Sequence, residues 1–241
     1  MFYTVNEYLL FSKNYAIVPE QDAHSSKLLL KYGTFLKVAC FNSVRAPPRK
    51  TKFYPMMNFQ EYLDVVNTIL AAEKPAPPYD NADYFQYTKM NGSRMNRWLK
   101  QNPVTEETKA IVAAITRKQH WVVITEPWCG DAAHIVPILY LMSRLNEHID
   151  FKLQLRDSGS EIEKYLTNGT RSIPVLIVRD ENGNDLFHWG PRPAAAKVVY
   201  DALKEKKAGF EETKIALQQV YNSDKSNGIQ QEVGALLAAH R

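Results

Sequence analysis

Apolar residues recur at helical spacing in Phe59, Tyr62, Leu63, Val66, Ile69 and Leu70, which predicts a helix from Phe59 to about Ala72 capped by Asn58. The prolines Pro75, Pro77 and Pro78 make Glu73 to Asp83 a loop. A second helix is expected over Ser93–Gln101. Met95, Trp98 and Leu99 are its apolar face; Arg94, Arg97 and Lys100 read as a solvated basic face. Thr105 opens a third helix with Glu106 and Glu107 in its first turn, where negative charge suits the helix dipole. Ile111, Val112 and Ile115 form its stripe.

Beyond this point strands and helices alternate. His120–Thr125 is a short apolar strand, and Asp131–Asn146 a helix with Ile135, Ile138, Leu139, Met142 and Leu145 on one face. Asp150–Leu155 alternates as a strand, and Ser160–Leu166 reads as a short helix. Pro174–Val178 and Asp185–Trp189 are strands joined across Glu181-Asn182-Gly183-Asn184 as a hairpin. Pro193 or Ala194 opens a helix to about Lys206 that carries Val198, Val199, Ala202 and Leu203. The tail adds helices near Phe210–Tyr221 and Gly228–Ala239, the first with the pattern Phe210, Lys214, Leu217, Val220.

Residues 1–56 are different. Their apolar clusters (Tyr8–Phe11, Leu28–Leu30, Phe35–Phe41) are weakly periodic, and the segment closes in the linker-like run Arg45–Lys52. They carry eight basic groups against three acids, whereas residues 57–241 carry 22 against 23, so the net charge of +4 comes from the N-terminal segment. A basic, aromatic-bearing stretch can bind nucleic acid, but a poorly ordered extension explains it more simply, and no nucleic-acid partner is expected. Met57 reads as the natural start, with residues 1–56 either an over-extended reading frame or a poorly folded extension. The expected division is therefore 1–56 and 57–241.

The chain of 241 residues is 45% apolar and 23% charged, ordinary for a globular protein. No apolar run nears the roughly 20 residues of a membrane helix, so no membrane partner is expected. Glu7 precedes the first apolar cluster, unlike a secretion signal, which predicts a cytoplasmic protein. Two cysteines, Cys40 and Cys129, are too few for a disulfide scaffold.

Strand, then Glu126-Pro127-Trp128-Cys129-Gly130-Asp131-Ala132, then an amphipathic helix resembles the active-site turn of thioredoxin, Trp-Cys-Gly-Pro-Cys. Arg171-Ser172-Ile173-Pro174 followed by Val175–Val178 resembles that family's cis-proline strand. Gly183 and Gly190 fit as well, and the resemblance covers about residues 104–206. It implies an α/β thioredoxin-like fold, a central mixed sheet flanked by helices, with extra helices over 57–103 and 207–241.

Three departures bear on the chemistry. The position of the second, resolving cysteine is Ala132; the turn proline is Asp131; and the buried aspartate six residues before the nucleophile is Val123. A dithiol cycle is not supported. Two readings stay open. In one, Cys129 is the nucleophile of a monothiol oxidoreductase acting on a protein or small-molecule disulfide, with glutathione as an external thiol and no bound cofactor. In the other, the domain holds an extended peptide without turnover. A helix N-terminus favours the thiolate of Cys129 and Asp131 disfavours it, which predicts a pKa modestly below the free value of about 8.5. Trp128, Gly130, Ile173 and Pro174 are the expected substrate surface, Trp128 as an exposed contact. Arg192 is expected to reach Asp131 or an anionic substrate. Asp131 and His134, three apart on a helix, read as a surface pair, and no metal site is expected; Asp131 is also a candidate catalytic residue beside Cys129, assisting proton transfer at the thiol.

Overall fold

The computed structural model describes residues 27–32, 35–40 and 54–240. It divides into two compact units, residues 1–52 and 53–241. In the first, β1 (Lys27–Tyr32) and β2 (Phe35–Cys40) pair antiparallel, from Lys27 opposite Cys40 to Tyr32 opposite Phe35. Both strands lie in the segment expected to be a poorly ordered extension. The Tyr8–Phe11 cluster and the Arg45–Lys52 run lie outside the described residues.

In the second unit, Met57 donates to the Leu153 carbonyl at 3.0 Å and accepts the Leu153 amide at 2.8 Å. Helix α1 (Phe59–Ala71) follows at once. The Asn58 side chain accepts the Glu61 amide while Glu61 accepts the Asn58 amide, a reciprocal cap. Helix α2 runs over Ala82–Gln101, starting a full eleven residues before the expected Ser93, because the Asn81 side chain accepts the Asp83 and Tyr84 amides. The buried polar residues Thr88 and Asn91 broke the apolar period that sequence reading follows. Helix α3 is Glu106–Ala113, capped by Thr105.

The sheet is built from β3 (Gln119–Thr125), β4 (Ile149–Leu155), β5 (Val175–Arg179) and β6 (Asp185–Trp189). Their order is β4-β3-β5-β6; β3 pairs parallel with β4 and antiparallel with β5, and β5 antiparallel with β6. The run over β3 is apolar because both of its faces are covered: Trp121, Val123 and Ile124 are fully buried. Between β4 and β5 stand two short 3-10 helices, Arg156–Ser158 and Ile162–Lys164, the second inside the span expected to be a short helix. At the β5–β6 hairpin Asp180 accepts the amides of Asn182 and Asn184, and Gly183 takes φ +82°, which a side chain would resist.

Helix α4 (Gly130–Ser143) follows β3. The expected single apolar face is corrected: Ala132, Ala133, Ile135, Val136, Ile138 and Leu139 are all buried, and Leu145 is exposed. The helix packs against β3 and β4 and also against α2, α3 and α7 (Asn227–Ala239), so little of its circumference meets water. Truncating Leu139 to Ala in such a setting costs about 2–5 kcal/mol. Helix α5 (Ala194–Glu205) buries Ala196 and leaves Val198 69% exposed, so its inner stripe is Ala196, Val199, Tyr200 and Leu203 rather than the one expected. Helix α6 (Phe210–Asp224) buries Leu217 and Tyr221 while Phe210 faces solvent. An α/β thioredoxin-like fold results, with added helices at both ends.

Candidate functional site around Cys129

The turn between β3 and α4 is held from two sides. The Cys129 amide donates to the Glu126 carbonyl at 3.0 Å, and Asn91 Nδ2 of α2 donates to the Pro127 carbonyl at 3.0 Å. Cys129 is thereby the N-cap residue of α4. Its Sγ donates to the Ile173 carbonyl at 3.5 Å, just before the cis Ile173–Pro174 bond. Gly190 closes on the same strand: at φ +132° its backbone lies so near that an added Cβ would be 2.3 Å from the Pro174 oxygen. Only glycine fits there.

Cys129, Trp128, Gly130, Asp131, Ile173 and Arg192 line one cleft of about 790 Å³; Pro174, next in the chain after Ile173, is buried and is not in its lining. Its far wall comes from α2 and α6, including Tyr84, Arg94, Phe210 and Tyr221. Trp128 is not a free contact. It is half-buried, edge-on to Tyr84 at 5.4 Å and under the Arg156 guanidinium at 4.8 Å. The π face of an indole attracts a cation there.

Asp131 and His134 are not a surface pair. Asp131 is 8% exposed: Arg192 Nη2 lies 2.7 Å from its Oδ2, and Tyr221 Oη donates to its Oδ1 at 2.8 Å. Arg192 also stacks over the Tyr200 ring at 3.9 Å. His134 is 2% exposed and stacks on Tyr221 at 4.4 Å. Trp98 Nε1, which can only donate, reaches His134 Nδ1 at 3.0 Å; the ring proton therefore sits on Nε2 and points at Gln218 Oε1, 3.2 Å away. Burial, with Arg94 and Arg97 nearby, pulls this imidazole down to about 3, so it is neutral. The helix α6 covers both residues, a contact between positions some 90 apart that helical periodicity does not carry.

The thiol differs from expectation. Burial first, and the Asp131 carboxylate second, push Cys129 up to about 12. The backbone amides of Ala132 and Asp131 and the Arg192 charge work the other way without prevailing. Burial raises Asp131 itself, against the pull of Arg192 and Tyr221. A further carboxyl escaped sequence reading. Glu126, 4% exposed, accepts the Asp157 amide at 2.8 Å, and burial raises it to about 7. Tyr221, Asn91 and Arg94 also join the site unforeseen; only the basic stripe on α2 had marked one of them. Among the described residues no cluster of three or more His, Cys, Asp or Glu is placed to hold a metal ion. No helix among them is long and apolar enough to cross a membrane.

A thioredoxin family model (Thioredoxin_9, "Thioredoxin") matches residues 78–204. This is more than half of the 241 residues, and the chain belongs to that thioredoxin family. The match begins early enough to take in α2, which the resemblance over 104–206 had left outside. No curated protein matches the sequence. Two solved structures are similar to the chain. One is a protein of unknown function from Pseudomonas aeruginosa, with a TM-score of 0.47 and 17% identity over 77% of this chain and 99% of that one. The other is an HIV epitope scaffold, with a TM-score of 0.46 and 18% identity over 77% of this chain and 100% of that one.

Proposed function

We propose that the chain is a monothiol thiol–disulfide oxidoreductase whose attacking sulfur is Cys129, carried in a Trp-Cys-Gly-Asp variant of the thioredoxin turn. One observation supports this above others. Cys129 lines the cleft at the start of α4, where two backbone amides and Arg192 favour negative charge on its sulfur. Attack on R–S–S–R forms Cys129–S–S–R and expels RS⁻, which leaves with the thiol proton as RSH. With Ala132 in place of a second cysteine, release falls to an external thiol such as glutathione. That thiol forms a disulfide with R and restores Cys129. Trp128, Gly130, Ile173 and the Pro174 edge are the surface for the substrate. Asp131 sets the ionisation of the thiol, and Arg192 holds Asp131.

The test is the mass of the intact protein after exposure to glutathione disulfide, with peptide mapping to separate Cys129 from Cys40. One adduct on Cys129, absent in Cys129→Ser, is expected. No adduct on Cys129 would sink the reading.

A second reading has its own observation. A thiol pushed up to about 12 is protonated at neutral pH and a weak nucleophile. A cleft with an inert sulfur in its wall is a binding module. Resistance of native Cys129 to alkylation up to strongly alkaline pH would favour it.

A further inference from the structure

Three arginines line the cleft, and they differ in what answers their charge. Arg192 is paired with Asp131 at 2.7 Å. Arg156 makes two bonds of 2.8 Å to the two oxygens of Asp157. Arg94 has no such partner: its Nη1 donates to Asn91 Oδ1 at 2.8 Å, and among the described residues no carboxylate pairs with it. A guanidinium has five N–H donors, so most of those on Arg94 are unused by protein acceptors. The group is half-buried, and burial together with the neighbouring Arg97 pulls its pKa down, the mark of a charge lacking compensation.

Its aim is fixed by the turn. The Asn91 side chain that accepts from Arg94 also donates to the Pro127 carbonyl, two residues before Cys129. One amide thus ties the guanidinium to the thiol's own loop. Other donors nearby are equally unanswered: Trp128 Nε1 and Arg192 Nε are buried without an acceptor. Lys204, also in the lining, has no carboxylate partner among the described residues, while Lys214 is held by Glu211 at 2.6 Å. The lining holds five cationic side chains, Arg94, Arg156, Arg192, Lys204 and Lys214, against two carboxylates, Asp83 and Asp131, so the cleft carries surplus positive charge. Its volume of about 790 Å³ falls in the range of small-molecule sites, roughly 300–1,000 Å³.

We propose that Arg94 anchors a carboxylate of the substrate, so that the cleft selects small acidic disulfides, the carboxylate on Arg94 and the sulfur at Cys129. This rests on Cys129 being the attacking group. The exchange is Cys129–SH plus R–S–S–R giving Cys129–S–S–R and RSH, where R carries the carboxylate. Arg192 is not the anchor, since Asp131 already occupies it.

Adduct formation on Cys129 is to be timed at one fixed pH and low ionic strength with three disulfides of similar size: 3,3′-dithiodipropionate (anionic), 2-hydroxyethyl disulfide (neutral) and cystamine (cationic). The anionic reagent should react about tenfold faster than the neutral one, as one charge-assisted contact implies, and cystamine slowest. The anionic-to-neutral ratio should fall toward one in about 1 M salt. In Arg94→Gln the ratio should collapse at low salt, and in Arg94→Lys part of it should survive; using the ratio cancels any general damage to the site. Equal rates in the wild type, or an undiminished ratio in Arg94→Gln, would overturn the anchor while leaving the monothiol reading standing. Should none of the three react, the monothiol reading falls. The unreactive thioether 3,3′-thiodipropionate then decides the anchor through quenching of tryptophan fluorescence. Binding weakened about tenfold by Arg94→Gln upholds it, and unchanged or absent binding overturns it.

Discussion

Two carboxyl groups bracket the thiol along the chain, Glu126 three residues before it and Asp131 two after. Both are buried, at 4% and 8% exposure. Asp131 is met by a guanidinium at 2.7 Å and a phenol at 2.8 Å. Glu126 is met by the Asp157 amide at 2.8 Å and by the Tyr79 phenol, with the Arg156 charge nearby, and no ion pair joins it to a cation among the described residues. The first arrangement opposes burial with a cation and a phenol, although burial still raises Asp131. The second leaves the carboxyl to settle the cost by holding its proton, which raises it to about 7. Burial raises both carboxyls beside the thiol; what differs is the partners set against it.

The sharpest way to break this contrast is to remove the partner. Arg192→Met strands Asp131 in a dry site and should cost about 3–5 kcal/mol in denaturant unfolding. The loss should be largest at alkaline pH and shrink as acid protonates Asp131. A loss that does not depend on pH would show that Arg192 acts through packing on Tyr200 instead.

Next comes Glu126→Gln. The folded chain holds the Glu126 proton more tightly than the unfolded chain does. Its ionisation therefore lowers stability as pH rises from the unfolded value of about 4.3 toward the folded value, which is about 7. The amide variant should gain ~1–3 kcal/mol at pH 8 and nothing at pH 4. Identical stability curves for the two proteins across this window would refute the assignment.

Asp131→Asn acts on the thiol more than on the fold. Removing the second-largest cause of the raised Cys129 pKa should speed alkylation roughly threefold to tenfold at fixed pH. Slower alkylation would identify Asp131 as a proton acceptor. The smallest change is Tyr221→Phe, which deletes one hydrogen bond to Asp131 and should cost about 1 kcal/mol. Cys129 alkylation should quicken slightly, because Asp131 without that bond holds its proton more tightly and opposes the thiolate less.

How much of this was legible in the sequence depended on range. The capped start of α1 at Asn58, the β3-turn-α4 unit and the β5–β6 hairpin depend on neighbours a few residues apart, and their outlines could be read. The first half of α2 could not, because Thr88 and Asn91 are buried for hydrogen bonding rather than for apolar packing. Cys129, Trp128, Gly130, Ile173 and Pro174 stood out through their family motifs, and the contact of Arg192 with Asp131 was one of two foreseen. The burial of Asp131 and His134 was not foreseen. It depends on Tyr221, Leu217 and Gln218 arriving from a tail helix, and no local pattern in residues 131–134 signals that arrival. The thiol's ionisation was misjudged for the same reason: the helix N-terminus was weighed, and the roof above it was not.

The hydrogen bond from Tyr221 to Asp131 also bears on inheritance. A chain ending at Lys206 would retain every strand of the four-stranded sheet and the helix that carries Cys129, yet Asp131 and His134 would meet bulk water. The sulfur would then ionise more readily and its surroundings would lose one wall. The C-terminal helices therefore cannot be swapped between related genes as neutral cargo. Shortening or replacing them rewrites the reactivity of a cysteine some eighty residues upstream of the cut, without altering a single residue of its turn.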